Sequence, residues 1–136
     1  MKITKHLSER NYLFLAITWA VLIAVLSLVS LKSIPKEYIS GNDKVMHFIF
    51  YAIFVVLLSF AKSKSYFKMK HNLFIIFIVI IYGIVIEILQ GVITKNREAD
   101  IYDAIANSLG AIVGFICLYC VKNKIFNKNF KVSNLI

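Results

Sequence analysis

The chain has 136 residues, of which 60% are hydrophobic and only 17% are charged, and its mean hydropathy is +0.76. A soluble domain of this length needs a more charged surface, so the composition favours an integral membrane protein. The net charge of +9 would suit a nucleic-acid partner, but its concentration in the tails and one loop favours a membrane surface instead.

Four long apolar runs divide the chain. They are Tyr12–Leu31, Val45–Ala61, Leu73–Val92 and Ile101–Val121. Each run is close to the ~20 residues that a helix needs to cross about 30 Å of hydrocarbon. Because a segment in lipid must satisfy its own backbone hydrogen bonds, we predict that all four runs are helical. The short connections predict an all-α, four-transmembrane-helix bundle of up-down topology, with residues 1–136 forming a single membrane domain.

The basic residues indicate how the bundle is oriented. Eleven of the 16 lie in the N-terminal tail, the second connection and the C-terminal tail, namely Lys2, Lys5, Arg10, Lys62, Lys64, Lys68, Lys70, Lys122, Lys124, Lys128 and Lys131. The positive-inside rule then predicts that both the N-terminus and the C-terminus are cytoplasmic. Membrane lipids are therefore the expected partners of these basic segments, and nucleic acid is not.

The first connection contains Pro35 and Gly41, which are expected to end one helix before the next begins. Asn42 or Asp43 is then predicted to cap the second span.

Polar residues recur at helical spacing near the predicted extracytoplasmic ends of three runs. The second run carries Asp43, His47 and Tyr51, the third Gly83, Glu87 and Gln90, and the fourth Asp103, Asn107, Gly110 and Gly114. Residues at these spacings share one helix face. A charge that faces lipid tails is costly, so the three stripes are predicted to face the bundle interior and converge.

A structural interpretation competes with a functional one. Asp43, Asp100 and Asp103 lie near predicted helix starts, where a carboxylate caps free amides. Glu87 lies too deep in its run to cap a helix, so it needs His47, Arg97, a cation or a proton as partner. Both a functional site and a purely structural polar lock stay open.

Two further patterns carry little chemistry. The glycines Gly110 and Gly114 form a GxxxG pattern that lets helices pack closely, and Gly83 is assigned the same packing role. One histidine with scattered carboxylates is a weaker metal signature than H-E-x-x-H, so the sequence predicts no metal and no cofactor.

Three motifs in this order resemble the VanZ-like family of small bacterial membrane proteins, named for a teicoplanin-resistance protein. They are D-K-x-x-H (Asp43, Lys44, His47), E-x-x-Q (Glu87, Gln90) and R-x-x-D-x-x-D-x-x-x-N-x-x-G-x-x-x-G, which begins at Arg97. The resemblance covers about residues 11–121. It implies a multi-pass protein of the bacterial cytoplasmic membrane, with an envelope role such as lower susceptibility to lipoglycopeptides.

The first functional hypothesis is a non-enzymatic protein that binds an amphiphile, either a lipoglycopeptide such as teicoplanin or a cell-wall lipid precursor. Its candidate ligand-binding residues are Asp43, His47, Tyr51, Glu87, Gln90, Arg97, Asp100, Asp103 and Asn107. The alternative is an intramembrane hydrolase or transferase that acts on a lipid-linked headgroup, with His47 as general base or metal ligand. An ion-coupled transporter is disfavoured because the opposite side has no matching polar cluster. The sequence assigns neither catalytic residues nor an oligomeric state.

Overall fold

The computed structural model describes the backbone of residues 2–28, 36–61, 69–93 and 100–133, and the side chains of residues 9–28, 43–61, 70–93 and 100–121. Within these ranges the chain forms four helices: α1 (Lys2–Leu28), α2 (Lys36–Ala61), α3 (Met69–Ile93) and α4 (Ile101–Ser133). The predicted all-α class with four membrane-length helices is therefore confirmed.

Each helix contains a segment that is long and apolar enough to cross a membrane. These segments are Glu9–Leu28, Asp43–Ala61, Lys70–Ile93 and Ile101–Val121. Large apolar side chains point away from the bundle; Phe14, for example, is 70% exposed and Val92 77% exposed. Such a surface is unfavourable in water and suits hydrocarbon, so the chain is a multi-pass membrane protein.

The start of α2 differs from the prediction. The helix begins at Lys36, directly after Pro35 in the sequence, so Asp43 lies about two turns inside it. The predicted cap at Asn42 or Asp43 was therefore wrong. Asp43 therefore lies within the helix, beside His47 of α2 and Asp103 of α4.

Side chains from α1 and α3 bond to backbone carbonyls of their neighbours. The Trp19 indole Nε1 donates to the carbonyl of Phe50 at 3.0 Å, which joins α1 to α2. The Tyr82 hydroxyl donates to the carbonyl of Ala20 at 2.6 Å, which joins α3 to α1. These bonds satisfy polar groups that would be costly to leave unpaired in lipid.

Helices α2 and α4 run parallel and pack backbone to backbone. A Cβ atom at Gly110 would lie 2.2 Å from the carbonyl oxygen of Phe48, and one at Gly114 would lie 2.6 Å from that of Ala52. The contact moves four residues forward on both helices, from Phe48 to Ala52 on α2 and from Gly110 to Gly114 on α4, as it does only between parallel helices. The two helices therefore approach as closely as they do because these positions lack side chains.

The apolar core fills the middle of the bundle. It consists of Ala16, Ile23, Tyr51, Phe54, Val55, Ile75, Val79, Ala111 and Phe115. Above it, the first half of α2, the last turns of α3 and the first turns of α4 meet at what we call the polar end, defined by Asp43, Lys44, Glu87, Asp100 and Asp103.

The opposite end of the bundle also buries two polar residues, Ser59 and Asn72. The Ser59 hydroxyl donates to the carbonyl of Val55 at 2.7 Å. Neither residue is ionisable at physiological pH, so they do not form a charged counterpart to the polar end.

Candidate functional site

Three buried polar side chains from three different helices form a continuous chain of hydrogen bonds. His47 of α2 pairs through Nδ1 with Oδ1 of Asn107 on α4 at 3.0 Å. The Asn107 Nδ2 then donates to Oε1 of Glu87 on α3 at 3.2 Å. All three residues are at most 4% exposed, so these bonds lie beyond the reach of bulk solvent. Helical spacing within each run brings each of them to the interior face.

The direction of these bonds sets the tautomer of His47. The NH₂ group of Asn107 donates to Oε1 of Glu87, so its amide oxygen, which only accepts hydrogen bonds, faces the imidazole. His47 must then donate from Nδ1, which leaves the lone pair of Nε2 free in the neutral ring.

The Nε2 atom of His47 faces two carboxylates. It lies 3.7 Å from Oδ1 of Asp43 and 3.9 Å from Oδ2 of Asp103. Both distances exceed those of a normal N–H···O hydrogen bond, which is about 2.7–3.2 Å. The three ligand atoms all lie within 4.8 Å of one another, so these residues could hold a metal ion.

Lys44 completes the charged part of the site, and it was not among the predicted ligand-binding residues. Its Nζ contacts Oδ2 of Asp100 at 2.7 Å and Oδ1 of Asp103 at 3.0 Å. The ammonium also lies 5.7 Å from the centre of the Tyr102 ring. A signal was present in the sequence, since Lys44 is a basic residue at the predicted outer end and within the D-K-x-x-H motif. Its two partners lie on another helix, however, and no spacing within α2 indicates them.

Asp100 caps α4. Its Oδ1 accepts a hydrogen bond from the backbone N–H of Tyr102 at 2.8 Å, and its carbonyl accepts from the N–H groups of Asp103 and Ala104. Bonding to Lys44 and to the Tyr102 amide lowers the pKa of the Asp100 carboxyl below its ordinary value of 3.8, because both donors stabilise the ionised form. Asp100 therefore has a clear structural role, whatever else it does.

Gln90 points toward α1 rather than toward His47. Its Nε2 donates to the carbonyl of Ser27 at 2.9 Å, and both residues are buried. Gln90 was expected to converge with the other polar side chains. Its hydrogen bond to Ser27 instead joins α3 to α1. No polar partner on the first span was predicted from the sequence.

Tyr51 lies directly below the hydrogen-bonded chain. It is fully buried, and a Cβ atom at Gly83 would lie 3.0 Å from its Cε1 and 3.2 Å from Cβ of Asn107. Gly83 therefore lets Tyr51 and Asn107 pack against α3. Within the described ranges, the Tyr51 hydroxyl and Oε2 of Glu87 are buried without a hydrogen-bond partner. Such atoms are rare in native interiors and call for an explanation.

The site therefore brings together Asp43, His47, Tyr51, Glu87, Asp103 and Asn107, with Asp100 at its rim. Arg97 lies outside the described residues. The arrangement offers several carboxylate oxygens to a hydrogen-bond donor or a cation. Solvent exposure decreases along the site, from the half-exposed Lys44 and Asp100 to buried Glu87.

Comparison with protein families matches the chain to the VanZ/LLP1 family over residues 8–123. Comparison with curated proteins and with solved structures found no match. The family match covers all four membrane-length segments and every residue of the site described above. The chain therefore belongs to the VanZ/LLP1 family.

Proposed function

We propose that this protein binds the headgroup of an amphiphile at the extracytoplasmic face of a bacterial membrane. The observation that carries this proposal is a pair of buried polar atoms, Glu87 Oε2 and Tyr51 Oη, that have no hydrogen-bond partner among the described residues. They lie at the inner end of a polar path that begins at half-exposed Lys44. Unpaired polar groups within a membrane are expensive, and a bound headgroup would supply their missing hydrogen bonds.

The ligand chemistry follows from the charges of the site. Carboxylates outnumber the cationic groups among its described residues, so the site favours headgroups with hydroxyl or amine donors. Lipoglycopeptides such as teicoplanin and cell-wall lipid precursors both carry such donors beside apolar tails. Arg97, which precedes α4 in the sequence, would pair with an anionic part of the same headgroup through its fork of donors.

The surrounding helices suit the apolar tail. Exposed Val92 at the end of α3 and exposed Ile101 and Ile105 at the start of α4 border the polar end. An amphiphile could therefore place its headgroup among the carboxylates while its tail stays in lipid. The basic residues of the tails and second connection support an extracytoplasmic position for this end.

The first test is protection of a teicoplanin-sensitive bacterium that expresses the protein. Wild type is expected to raise the inhibitory concentration of teicoplanin, and Glu87→Gln and Arg97→Ala are expected to abolish the effect at normal abundance. His71→Ala, which changes an exposed histidine at the opposite end, serves as the matched control and should protect fully. Protection that survives both site changes would contradict the proposed site.

A binding measurement separates this function from its alternative. Purified wild type in lipid nanodiscs should retain a fluorescent lipoglycopeptide or lipid precursor, and Glu87→Gln should retain at least about tenfold less, equivalent to about 1.4 kcal/mol. Release of the free headgroup during the same measurement would instead indicate the intramembrane hydrolase or transferase.

A further inference from the structure

We propose that Asp43, His47 and Asp103 bind a divalent transition-metal ion at the polar end of the bundle. This inference does not depend on amphiphile binding, since the ligand atoms and their support belong to the chain itself. It also departs from the sequence-based expectation that no metal is bound.

The geometry of the three side chains suits one ion. Asp43 and His47 lie one helical turn apart on α2, and Asp103 faces them from α4. The Nε2 atom of His47 is 3.7 Å and 3.9 Å from the nearest carboxylate oxygens, and all three ligand atoms lie within 4.8 Å of one another. Two ligands that each lie about 2.1 Å from a tetrahedral ion are about 3.4 Å apart, so small side-chain rotations would complete the site.

The chemistry of these atoms calls for positive charge between them. Because Nδ1 of His47 donates to Asn107, the Nε2 lone pair and two carboxylate oxygens converge as three acceptors. A proton on Nε2 would meet both oxygens at distances too long for hydrogen bonds. A metal ion at about 2.0–2.2 Å from each atom satisfies all three at once.

The support behind His47 resembles that of histidines that bind metals. The ring nitrogen of such a histidine that does not bind the metal usually donates a hydrogen bond to a carboxylate, a carbonyl or a water. That bond fixes the orientation of the ring and its tautomer. Here Asn107 accepts that hydrogen bond and in turn donates to Glu87. Glu87 is 4% exposed and its Oε2 has no hydrogen-bond partner within the described residues. In its ionised form Glu87 would stabilise a cation bound on the other side of the imidazole.

The local charge balance points the same way. Among the described residues, the polar end carries the four carboxylates of Asp43, Glu87, Asp100 and Asp103 against the single ammonium of Lys44. Several carboxyl groups gathered at one place attract a cation. Lys44 contacts Oδ1 of Asp103 and leaves Oδ2 of that residue toward His47, so it does not occupy the proposed site.

The ligand set also narrows the kind of ion. One imidazole suits Zn²⁺, while two carboxylates also suit Mn²⁺; Ca²⁺ and Mg²⁺ prefer sites made only of oxygen. Three protein ligands leave at least one coordination position for water or for an oxygen of a ligand.

The experiment measures metal binding to the full-length protein purified in detergent without a polyhistidine tag. Cys117→Ser and Cys120→Ser are introduced together, because thiols bind Zn²⁺ and both cysteines are exposed. Metal content is measured by mass spectrometry after dialysis, and affinities for Zn²⁺, Mn²⁺, Mg²⁺ and Ca²⁺ by titration. We expect about one Zn²⁺ or Mn²⁺ per chain and much weaker binding of Mg²⁺ and Ca²⁺.

Matched variants identify the ligands. Asp43→Asn, His47→Ala and Asp103→Asn should each weaken binding by more than tenfold, while His71→Ala, at the opposite end, should bind like wild type. Asn107→Ala should weaken binding by about 10- to 100-fold, because it removes the partner of the ligating ring. Lys44→Met should strengthen it, since the ammonium 3.0 Å from Asp103 competes for the same carboxylate.

Two results would overturn the proposal. One is folded wild type that binds none of the four ions stoichiometrically. The other is binding that His47→Ala and Asp103→Asn leave unchanged in variants whose helical circular dichroism matches wild type. Loss of teicoplanin protection with metal binding intact, or the reverse, would separate this site from the proposed function.

Discussion

Glu87 lies six residues before the end of α3, within the membrane-length segment, and is only 4% exposed. One of its oxygens accepts a hydrogen bond from Asn107, while the other has no partner within the described residues. Packing alone does not favour a carboxylate at such a position, because an apolar residue would avoid the desolvation cost. The ligand-binding role proposed for Glu87 would account for this cost, since functional residues can be unfavourable for stability.

Two substitutions at this position separate function from structure. Glu87→Gln keeps an oxygen for Asn107 and removes the buried charge, so we expect it to unfold no earlier than wild type. Glu87→Ala leaves the Asn107 amide without its acceptor, which should cost about 1–3 kcal/mol. Unfolding in mixed detergent micelles measures both. A Glu87→Gln protein that is clearly less stable than wild type would show instead that the ionised carboxylate stabilises the bundle.

Lys44 partly neutralises the carboxylates of the site. It contacts two carboxylates on α4 and is itself 40% exposed at the side chain, so its ion pairs are partly screened by solvent. Replacing Lys44 is therefore expected to change the charge of the site and its affinity for ligands more than the free energy of unfolding.

At the level of elements, the close packing of α2 and α4 positions the site. His47 and Asp43 lie on one of these helices, and Asn107 and Asp103 lie on the other. The contacts of Gly110 and Gly114 with the α2 backbone hold the two helices in register directly below these residues. A shift of α4 would therefore change all the distances around His47 together.

Gly110→Ala tests this register. Alanine is favoured over glycine in a helix by about 1 kcal/mol. At this position, however, the new Cβ would lie 2.2 Å from the backbone oxygen of Phe48. We expect a net loss of about 1–3 kcal/mol from overpacking, with loss of ligand binding.

Gly83→Ala is a control for Gly110→Ala that is expected to have a milder effect. Its Cβ would meet the side chains of Tyr51 and Asn107 at 3.0 Å and 3.2 Å, and side chains can move more easily than backbone. Its loss of stability should therefore be smaller. Equal stability of Gly110→Ala and wild type would argue against a tightly packed α2–α4 interface.

For the whole molecule, the charge distribution predicts which end faces the cytoplasm. The polar end is expected outside, and the opposite end, which carries Lys70 at the start of α3, is expected inside. This orientation determines which leaflet could deliver a ligand to the site.

Cysteine labelling in intact cells tests the orientation, in a background that carries Cys117→Ser and Cys120→Ser. Tyr102 is 65% exposed beside the polar end, so Tyr102→Cys should react with a membrane-impermeant maleimide from outside. Lys70→Cys should react only after the membrane is permeabilised. The reverse pattern would contradict the proposed topology.

The architecture could be predicted because it depends on local properties. The length and apolarity of each run are sufficient to indicate a membrane helix, since lipid leaves the backbone few other solutions. Helical spacing likewise indicated that Asp43, His47 and Tyr51 share a face, as do Asp103 and Asn107. The depth of Glu87 within its run showed that capping could not explain it.

The pairing of side chains between helices was decided only by the tertiary structure. Spacing within α2 could not assign Lys44 to Asp100 and Asp103, and spacing within α3 could not direct Gln90 toward Ser27 on α1. These contacts depend on which helices adjoin and how closely they approach. That approach is determined by packing between segments distant in sequence, such as Gly110 against Phe48, and no local pattern specifies it.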